Sequence, residues 1–447
     1  MLESVVTVAK ALEDYRPIVG DEPIQELKAL AEPLRGARVL NINATPFGGG
    51  VAEMLSALVP LMNDVGLAAE WRVITGSEEF FSVTKAMHNS LQGMAIDWTA
   101  DMERTWLIYN DINAELFAES YDFVIVHDPQ PAGLLEGVLR RNGHRPTGTW
   151  LWRCHLDTSN ARPEVWDFIL PFVRLYQGAI FTRKEYVNGD LSGGPPVFTV
   201  WPAIDPLSSK NRKVSPDIVK GVLLQCGIDP TRPIVCQVSR FDPWKDPLGV
   251  IDVYREVKEE VPELQLVMAG VMANDDPEGW EYCQRTLHYA GEDEDIHVLS
   301  NLSEIAVGAF EVGALQQAAS VVIQKSIREG FGLTVAEALW KGRPVVAGNV
   351  GGIPLQIEHS KTGFLANSTP EYVDYVLYLL RHPEVANEMG RQAKRYVRQN
   401  FLITRNLADY LRILGGFNHG EDRLVAVSGT KREENSCRVD GDHTHMR

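Results

Sequence analysis

The segment from Arg38 to Gly76, RVLNINATPFGGGVAEMLSALVPLMNDVGLAAEWRVITG, decides the fold class. A short β-branched run, VLNINAT, precedes a segment of helical periodicity, VAEMLSALVPLMNDVG, and a second extended run, AEWRVITG, follows. The alternation continues through DFVIVHD, TWLWRCH and GAIFTR, which lie between residues 122 and 183. Extended runs that alternate with helices are typical of a parallel sheet covered by helices on both faces. The sequence therefore predicts an α/β protein with a doubly wound parallel sheet.

A second series of the same kind follows the polar stretch DPLSSKNRKVSP, from Asp205 to Pro216. It contains PIVCQVSR, LQLVMAG, IHVLSN, SVVIQK and PVVAG, and helical periodicity takes over after Phe364. We interpret the polar stretch as a linker between two Rossmann-like domains, of residues 1–207 and 208–390. The helices of residues 391–418 are expected to cross back to the first domain. Because ligands of such folds bind beyond the carboxyl ends of the strands, the cleft between the domains is the predicted site.

The chain has 447 residues, of which 45% are hydrophobic, and a formal net charge of −17. This acidic balance opposes nucleic-acid or anionic membrane partners, and an anionic small ligand needs a local basic pocket. No apolar run approaches the ~20 residues that cross a bilayer, and the N-terminus lacks the pattern of a signal peptide. These features predict a cytoplasmic protein.

The cysteines and the last segment carry no sign of a metal or disulfide framework. The five cysteines are odd in number and lack CxxC pairing, which predicts reduced, mostly buried thiols at Cys154, Cys226, Cys236, Cys283 and Cys437. Residues 421–447 are charged and rich in Gly and Ser, and are predicted to be disordered. His443 and His445 are interpreted as part of a solvated tail, since no other ligand type clusters with them.

Two glutamates, Glu329 and Glu337, lie eight positions apart across a glycine turn in IREGFGLTVAEALW, residues 327–340. A fully helical interval would rise ~12 Å, whereas the acid/base carboxylates of glycosidases stand about 5–9.5 Å apart. Carboxylates this far apart suit an elongated ligand, each accepting hydrogen bonds from hydroxyls at a different end. The helix that follows Gly332 would attract a phosphate at its N-terminus. The alternative is an ordinary turn residue at 329 and a solvated helix residue at 337.

Two cations follow the predicted strand PIVCQV, in the sequence SRFDPWK that ends at Lys245. In an acidic protein, Arg240 and Lys245 at a strand end suggest a diphosphate clamp, with a planar fork from arginine and a point charge from lysine. A surface salt bridge explains either cation equally well when it is taken alone.

Three further clusters lie where predicted strands of the first domain end. Gly48, Gly49 and Gly50 separate a strand from a helix and let backbone approach a ligand, although the motif is neither GxGxxG nor a P-loop. That absence argues against a nicotinamide dehydrogenase and an ATPase. The other two clusters are His127 with Asp128, and Arg153 with His155 and Asp157. Each has an ordinary explanation as a turn starter or a core histidine, but their shared position at strand ends favours one common cleft.

These residues resemble a known family. Glu329 and Glu337 form a Glu-x7-Glu motif, and with the GGG loop, SRFDPWK and the two-domain pattern the chain resembles retaining glycosyltransferases of the GT-B fold, from about residue 10 to 415. More narrowly, it is similar to the trehalose glycosyltransferring synthases. The segments that carry this likeness are NATPFGGGVAEML, VHDPQPAGLLE, LWRCHLD, QVSRFDPWK, MANDDPEGW and SIREGFGLTVAEALWKGRPVV.

The resemblance implies roles for single residues. Arg240 and Lys245 would neutralise the leaving diphosphate, Glu329 would hold hydroxyls of the donor glucose, and Glu337 the ribose. Asp128 and His155 would line the sugar subsites near the anomeric carbon, and these two join Arg240, Lys245 and Glu329 in the catalytic set. The remaining donor-side residues are Gly48, Gly49, Gly50, Gly330, Phe331, Gly332 and Leu333, and the remaining acceptor-side residues are His127, Arg153 and Asp157.

The resemblance also implies an activity. It is reversible transfer of glucose, with retention of configuration, from a nucleoside diphosphate (NDP) glucose to free glucose, with trehalose as product. No tightly bound cofactor or metal is expected, although Mg²⁺ can accompany the nucleotide, and the family suggests a homodimer. One departure is Leu355 after Gly351-Gly352-Ile353-Pro354, where many members of the wider superfamily have an acidic residue.

The sequence leaves rival functions open. They are a retaining trehalose phosphorylase that uses inorganic phosphate, another NDP-sugar-dependent GT-B glycosyltransferase, and a non-catalytic NDP-sugar sensor. The preferred nucleobase, the physiological direction and the acceptor range are not readable from the residues.

Overall fold

A computed structural model describes residues 1–191, 193–270, 277–301 and 306–419. The first five residues of the MANDDPEGW motif, 272–276, lie outside these ranges. The predicted disordered tail, with Cys437, His443 and His445, also lies outside them.

Within the described residues, the first domain is built on a seven-stranded sheet with the order β1-β3-β2-β4-β5-β6-β7. All neighbouring strands are parallel except β1, which pairs antiparallel with β3 at the edge. The strands are β1 Glu3–Ser4, β2 Arg38–Asn43, β3 Ala68–Val73, β4 Phe123–His127, β5 Thr149–Arg153, β6 Gly178–Phe181 and β7 Val197–Thr199.

Helices cover both faces of this sheet, as the alternation predicts. They are α1 Arg16–Val19, α2 Asp21–Ala31, α3 Gly50–Asp64, α4 Glu78–Leu91, α5 Ala100–Leu116, α6 Leu134–Asn142 and α7 Pro163–Val173. One hydrophobic core joins α2 and α3 to one face, and a second joins α4 to α7 to the other. Local sequence fixes several helix starts, since Ser77 and Thr99 each accept a hydrogen bond from a backbone N–H of the first turn of α4 and α5.

The second domain has a six-stranded, all-parallel sheet among the described residues, with the order β10-β9-β8-β11-β12-β13. Its strands are β8 Ile234–Val238, β9 Gln265–Gly270, β10 Ile296–Ser300, β11 Val321–Gln324, β12 Val345–Gly348 and β13 Phe364–Ala366. Its helices are α8 Pro216–Gln225, α9 Pro247–Glu260, α10 Pro277–Ala290, α11 Ala309–Ala318, α12 Leu333–Trp340, α13 Ile353–Gln356, α14 Thr369–Arg381 and α15 Pro383–Asn400. The prediction of two doubly wound α/β domains is confirmed.

The chain crosses between the domains at two adjacent places. Ile204 and Leu402 form a parallel bridge, so the outgoing linker runs beside the returning chain. Helix α15 continues through position 391, where the sequence placed a boundary, and packs on α12 and α14 of the second domain. The return to the first domain is made by α16, Ile403–His419, which packs against α2 and α3. The boundary expected at residue 391 therefore falls inside a helix of the second domain.

Candidate active site

The strand order reverses between β2 and β4 in the first sheet and between β8 and β11 in the second. At such a reversal the loops leave neighbouring strands on opposite faces of the sheet, which opens a crevice beyond their carboxyl ends. The loops that follow these four strands carry most of the polar clusters that the sequence singled out, and the cluster of His155 follows the neighbouring strand β5.

The second domain contributes an ion pair at this crevice. Lys245 Nζ lies 2.6 Å from Glu329 Oε2, and the two side chains are 14% and 13% exposed. Lys245 ends a short 3₁₀ turn after β8, and its backbone N–H donates to the Asp242 carbonyl. Ser326 Oγ donates to the same Glu329 oxygen at 3.4 Å. A cation and a carboxylate from two different strand ends are thus held in contact, largely away from solvent.

Arg240 lies on the same loop and is more open to solvent. Its Nη2 atom is 3.4 Å from Asp242 Oδ2, and its side chain is 43% exposed. The charge of Arg240 reaches α4 of the first domain. Burial, together with the positive charges of Lys85, Arg240 and Lys245, lowers the pKa of His88 on that helix to about 3. The positive charges of Arg240 and Lys245 therefore act on the region that faces the first domain, where an anion site needs them.

The second glutamate of the motif has a different environment. The Glu337 side chain is only 1% exposed, and its Oε1 atom lies 2.9 Å from Nζ of Lys210. The same ammonium lies 3.3 Å and 3.4 Å from the carboxylate oxygens of Glu53 on α3. Burial raises the pKa of Glu337, and Lys210 opposes that effect. Lys210 stands in the polar linker, and sequence reasoning missed it because no pattern distinguishes it from the other linker cations.

Replacing Lys210 with methionine is expected to destabilise the protein, because Glu337 would then be buried without its cation. We expect the melting temperature to fall by roughly 5–10 °C, from a loss of about 3 kcal/mol. Lys210→Met combined with Glu337→Gln should recover most of the loss, since the uncompensated charge is gone. Differential scanning calorimetry measures both variants, with Lys220→Met at an exposed position of α8 as the matched control. A Lys210→Met protein that melts with the wild type would contradict the assignment.

The glycine-rich loop of the first domain faces the start of α12 across the crevice. Gly48 has a φ of +83°, and Gly49 and Gly50 form the start of α3. A Cβ built on Gly50 would lie 2.7 Å from Cδ1 of Leu333. The three glycines are exposed, which leaves the backbone N–H groups of the first turn of α3 within reach of a ligand.

Asp128 and His155 lie together at the end of β4 and β5. Asp128 has a φ of +67°, and its Oδ1 atom accepts a hydrogen bond from the His155 backbone N–H at 2.8 Å. Burial raises the pKa of Asp128 to about 6. His155 Nε2 lies 3.0 Å from His127 Nδ1, and the His127 side chain is fully buried. His127 therefore supports His155 from inside the domain and does not line the crevice itself.

Hydrogen bonds from side chains of the first domain to backbone carbonyls of the second join the two halves of the site. Tyr186 of the first domain donates from its hydroxyl to the Gly330 carbonyl at 2.8 Å, and Arg183 Nη1 donates to the Gly351 carbonyl at 2.6 Å. A Cβ at Gly330 would lie 2.7 Å from the carbonyl oxygen of His155. The absence of a side chain at Gly330 thus lets the loop that bears Glu329 come up against the loop that bears His155.

Two residues assigned to the site lie in the cores of their domains, and a third, Asp157, has its contacts within its own loop. Arg153 is fully buried, and its Nη2 atom donates to the Val200 carbonyl at 2.7 Å. It therefore lies inside the domain and does not make the contact with the acceptor sugar that the sequence predicted. Phe331 is part of the hydrophobic core of the second domain and packs on Phe401. Asp157 accepts two hydrogen bonds from Ser159, one from its backbone N–H and one from its hydroxyl, within one loop.

The turn after β12, which packs against the backbone of Glu329, contains the residue that departs from the wider superfamily. Gly351 has a φ of +55°, and a Cβ there would collide with the Glu329 carbonyl. Gln356 donates from its side chain to the Phe331 and Gly332 carbonyls, which holds the start of α12. Leu355, between these positions, packs against the core of the second domain. The residue that is acidic in many superfamily members thus has an apolar packing role here.

Two family models match the chain and divide it as the structure does. The model of the trehalose synthase N-terminal domain matches residues 41–188, and that of glycosyl transferases group 1 matches residues 225–396. The trehalose synthase of Rubrobacter xylanophilus is 52% identical over 417 residues, which cover 92% of this chain and 98% of the relative. The trehalose synthase of Thermococcus litoralis is 50% identical over 410 residues, which cover 91% and 97%.

The chain belongs to the trehalose synthase family. Its members here are matched over nearly their whole length, so the chain is a trehalose-related glycosyltransferase. A more distant relative is the trehalose phosphorylase of Pleurotus pulmonarius, 27% identical over 459 residues that cover 92% of this chain and 61% of the relative. The family resemblance inferred from the sequence motifs is confirmed.

Solved structures support the same fold. The α,α-trehalose-phosphate synthase (UDP-forming) of Burkholderia xenovorans, in complex with glucose-6-phosphate, superposes with a TM-score of 0.67 at 12% identity, over 85% of this chain and 100% of that one. The predicted GT-B fold is therefore confirmed for this member of the trehalose synthase family. In the part of the chain that the structure describes, no helix is both long and apolar enough to span a bilayer.

Proposed function

We propose that the chain transfers glucose from an NDP-glucose to free glucose, with retention of configuration, and forms trehalose reversibly. The observation that carries the proposal is the contact between Lys245 and Glu329 at the reversal point of the second sheet, on the loop that also bears Arg240. The relatives at 50% and 52% identity are trehalose synthases, which supports trehalose as the product.

In this proposal the protein acts mainly by electrostatics. As the bond between the anomeric carbon and the diphosphate lengthens, negative charge grows on the departing oxygens. Arg240 and Lys245 are fixed groups that stabilise this charge, and the first-turn amides of α12 add their dipoles. Single preorganised donors of this kind commonly contribute about 3–4 kcal/mol to a barrier. No covalent intermediate with a side chain is required, and the leaving oxygen takes the proton of the acceptor hydroxyl.

The carboxylates have binding roles. With Lys245 on one of its oxygens, Glu329 has further lone pairs for sugar hydroxyls. Glu337, at the other end of the motif, would accept from the ribose once Lys210 gives up part of its contact. Two carboxylates at the ends of the motif suit the hydroxyl-rich ends of a sugar nucleotide. The cations of the SRFDPWK loop suit its anionic middle.

The test is an incubation with each NDP-glucose and glucose, followed by measurement of released NDP and identification of the disaccharide by NMR. Trehalose together with stoichiometric NDP is the expected result. A matched incubation contains trehalose and inorganic phosphate, because a trehalose phosphorylase is among the relatives. Glucose 1-phosphate formed from that mixture, without NDP, would replace the proposal with phosphorolysis. Tight NDP binding without turnover of any acceptor would replace it with a sensor function.

A further inference from the structure

Strand β2 carries a polar residue that neither the motifs nor the donor chemistry requires. Asn41 is fully buried, between the apolar residues Leu40 and Ile42. The other buried asparagine of this strand, Asn43, is satisfied by Trp71 Nε1 and the Thr45 carbonyl. Asn41 instead directs its Oδ1 atom at His127 Nε2, at 3.1 Å, and leaves its own Nδ2 without a partner. A buried unpaired donor costs stability.

Asn41, His127 and His155 form a continuous chain of hydrogen bonds that leads from the core to the crevice. His127 Nδ1 lies 3.0 Å from His155 Nε2, and the two rings are nearly parallel, with an interplanar angle of 14° and centroids 5.3 Å apart, so they meet edge to edge. His127 cannot move away from either neighbour, because it is fully buried at the end of β4. The three side chains come from β2, β4 and the loop after β5, so the chain depends on the folded sheet.

The direction of this chain follows from donor and acceptor chemistry. In the orientation that the Asn41 amide has here, its oxygen faces Nε2 of His127 and can only accept, so that Nε2 carries the proton. A neutral imidazole has one N–H, so Nδ1 of His127 accepts and Nε2 of His155 donates to it. Nδ1 of His155 is then an unprotonated acceptor. This Nδ1 atom has no hydrogen-bond partner among the described residues. It is also not enclosed by protein, unlike the buried atoms that lack partners, so a ligand in the crevice can reach it.

We propose that Asn41 is a positioning residue: through His127 it fixes the tautomer in which Nδ1 of His155 accepts a hydrogen bond from a hydroxyl of the bound sugar. This assignment rests on the proposed function for the identity of the ligand as a sugar. Asn41 itself stays remote from the ligand and acts through two imidazoles. The tautomer is set before the substrate arrives, so no proton has to be rearranged on binding.

The surroundings keep both imidazoles neutral. Burial, and then the charge of Arg153, lower the pKa of His127 to about 3 and that of His155 well below its ordinary value. The other titratable groups around them are Asp128, whose Oδ1 accepts from the His155 backbone, and Tyr410 of α16, which interacts with Arg153. Wild-type turnover is therefore expected to show no histidine ionisation above pH 5.

Two substitutions of Asn41 separate the accepting role from a structural one. Asn41→Leu removes the acceptor, so turnover should fall about fivefold to tenfold at every pH, as for one lost hydrogen bond. Asn41→Asp keeps the acceptor and should be at least threefold more active than Asn41→Leu at pH 9. Its carboxylate favours the imidazolium, so the pKa of the histidine pair rises and turnover should fall as the pH drops below about 7. A flat pH profile for Asn41→Asp, or activity no higher than that of Asn41→Leu, would overturn the proposal.

A spectroscopic test does not depend on turnover. Long-range ¹H–¹⁵N spectra of histidine-labelled, ligand-free protein distinguish the tautomers, and His127→Gln and His155→Gln assign the signals. Nε2–H tautomers at both positions in the wild type are the expected result, and an Nδ1–H tautomer at His155 would overturn the proposal even if every Asn41 variant fails to fold. If the wild type makes no trehalose but the spectra show the expected tautomers, the proposed function fails. The positioning of His155 by Asn41 through His127 is then still supported.

Discussion

Lys245→Met is expected to lower the rate of glucosyl transfer by at least about 100-fold while the fold survives. Lys245 is held at 2.6 Å from Glu329, largely out of solvent, where a fixed charge acts more strongly on a departing diphosphate than it would in water. Methionine keeps the length of the side chain and removes the charge, so packing changes little. Steady-state release of NDP from NDP-glucose and glucose measures the effect, and calorimetric melting checks the fold.

The matched control for this prediction is Lys361→Met, because Lys361 is a solvent-exposed lysine whose partner is Glu358 on its own turn. It should turn over at the wild-type rate. Arg240→Ala should lower the rate in the same direction as Lys245→Met, since both cations face the same region. Near-wild-type turnover in Lys245→Met would remove the diphosphate clamp from the mechanism.

Glu329→Gln is expected to lower kcat/KM for NDP-glucose roughly 100-fold, while the affinity for NDP changes little. The carboxylate accepts charge-assisted hydrogen bonds from sugar hydroxyls in the proposed complex, and two of these together contribute about 3 kcal/mol. The free nucleotide has no glucose to lose contact with.

Calorimetric titration with NDP and with NDP-glucose separates these effects. In Glu329→Gln, the affinity for NDP-glucose should fall clearly and the affinity for NDP should not. The control is Glu259→Gln, because Glu259 is an exposed residue of α9. Equal losses for the two ligands would place Glu329 at the nucleotide instead of the hexose.

The two sheets were predictable because their central strands are nearly continuous apolar runs between helical periods, as in IVCQV, which is buried at every position. Strand β1 was missed because its two residues, Glu3 and Ser4, are polar and too few to show a period. The boundary at residue 391 was misplaced because the helical pattern of Pro383–Asn400 has no break there. Helix α15 belongs to one domain and α16 to the other because their apolar faces pack against helices of different domains. These packing partners are set by the tertiary structure and cannot be seen in the local sequence.

Part of the site was predictable for a simple reason, since the ends of adjacent parallel strands meet. Lys245 and Glu329 come into contact in this way, although 84 positions separate them. Arg153 was misassigned because alternation along β5 places it on the same face as Leu151, towards the core under α16. Lys210 and Asn41 were not predictable. One lies in an irregular linker and the other inside a strand, and both matter through partners that are remote in sequence.

The paired crossing at Ile204 and Leu402 has a mechanical consequence. The Ile204 N–H donates to the Phe401 carbonyl and the Ile403 N–H donates to the Ile204 carbonyl, both at 2.9 Å, so the two connecting strands are tied into one short ribbon. Because both connections run together at one place, any rotation of one domain against the other pivots close to this ribbon. Opening about that pivot would first break the contacts of Tyr186 and Arg183 with the backbone of the facing lobe.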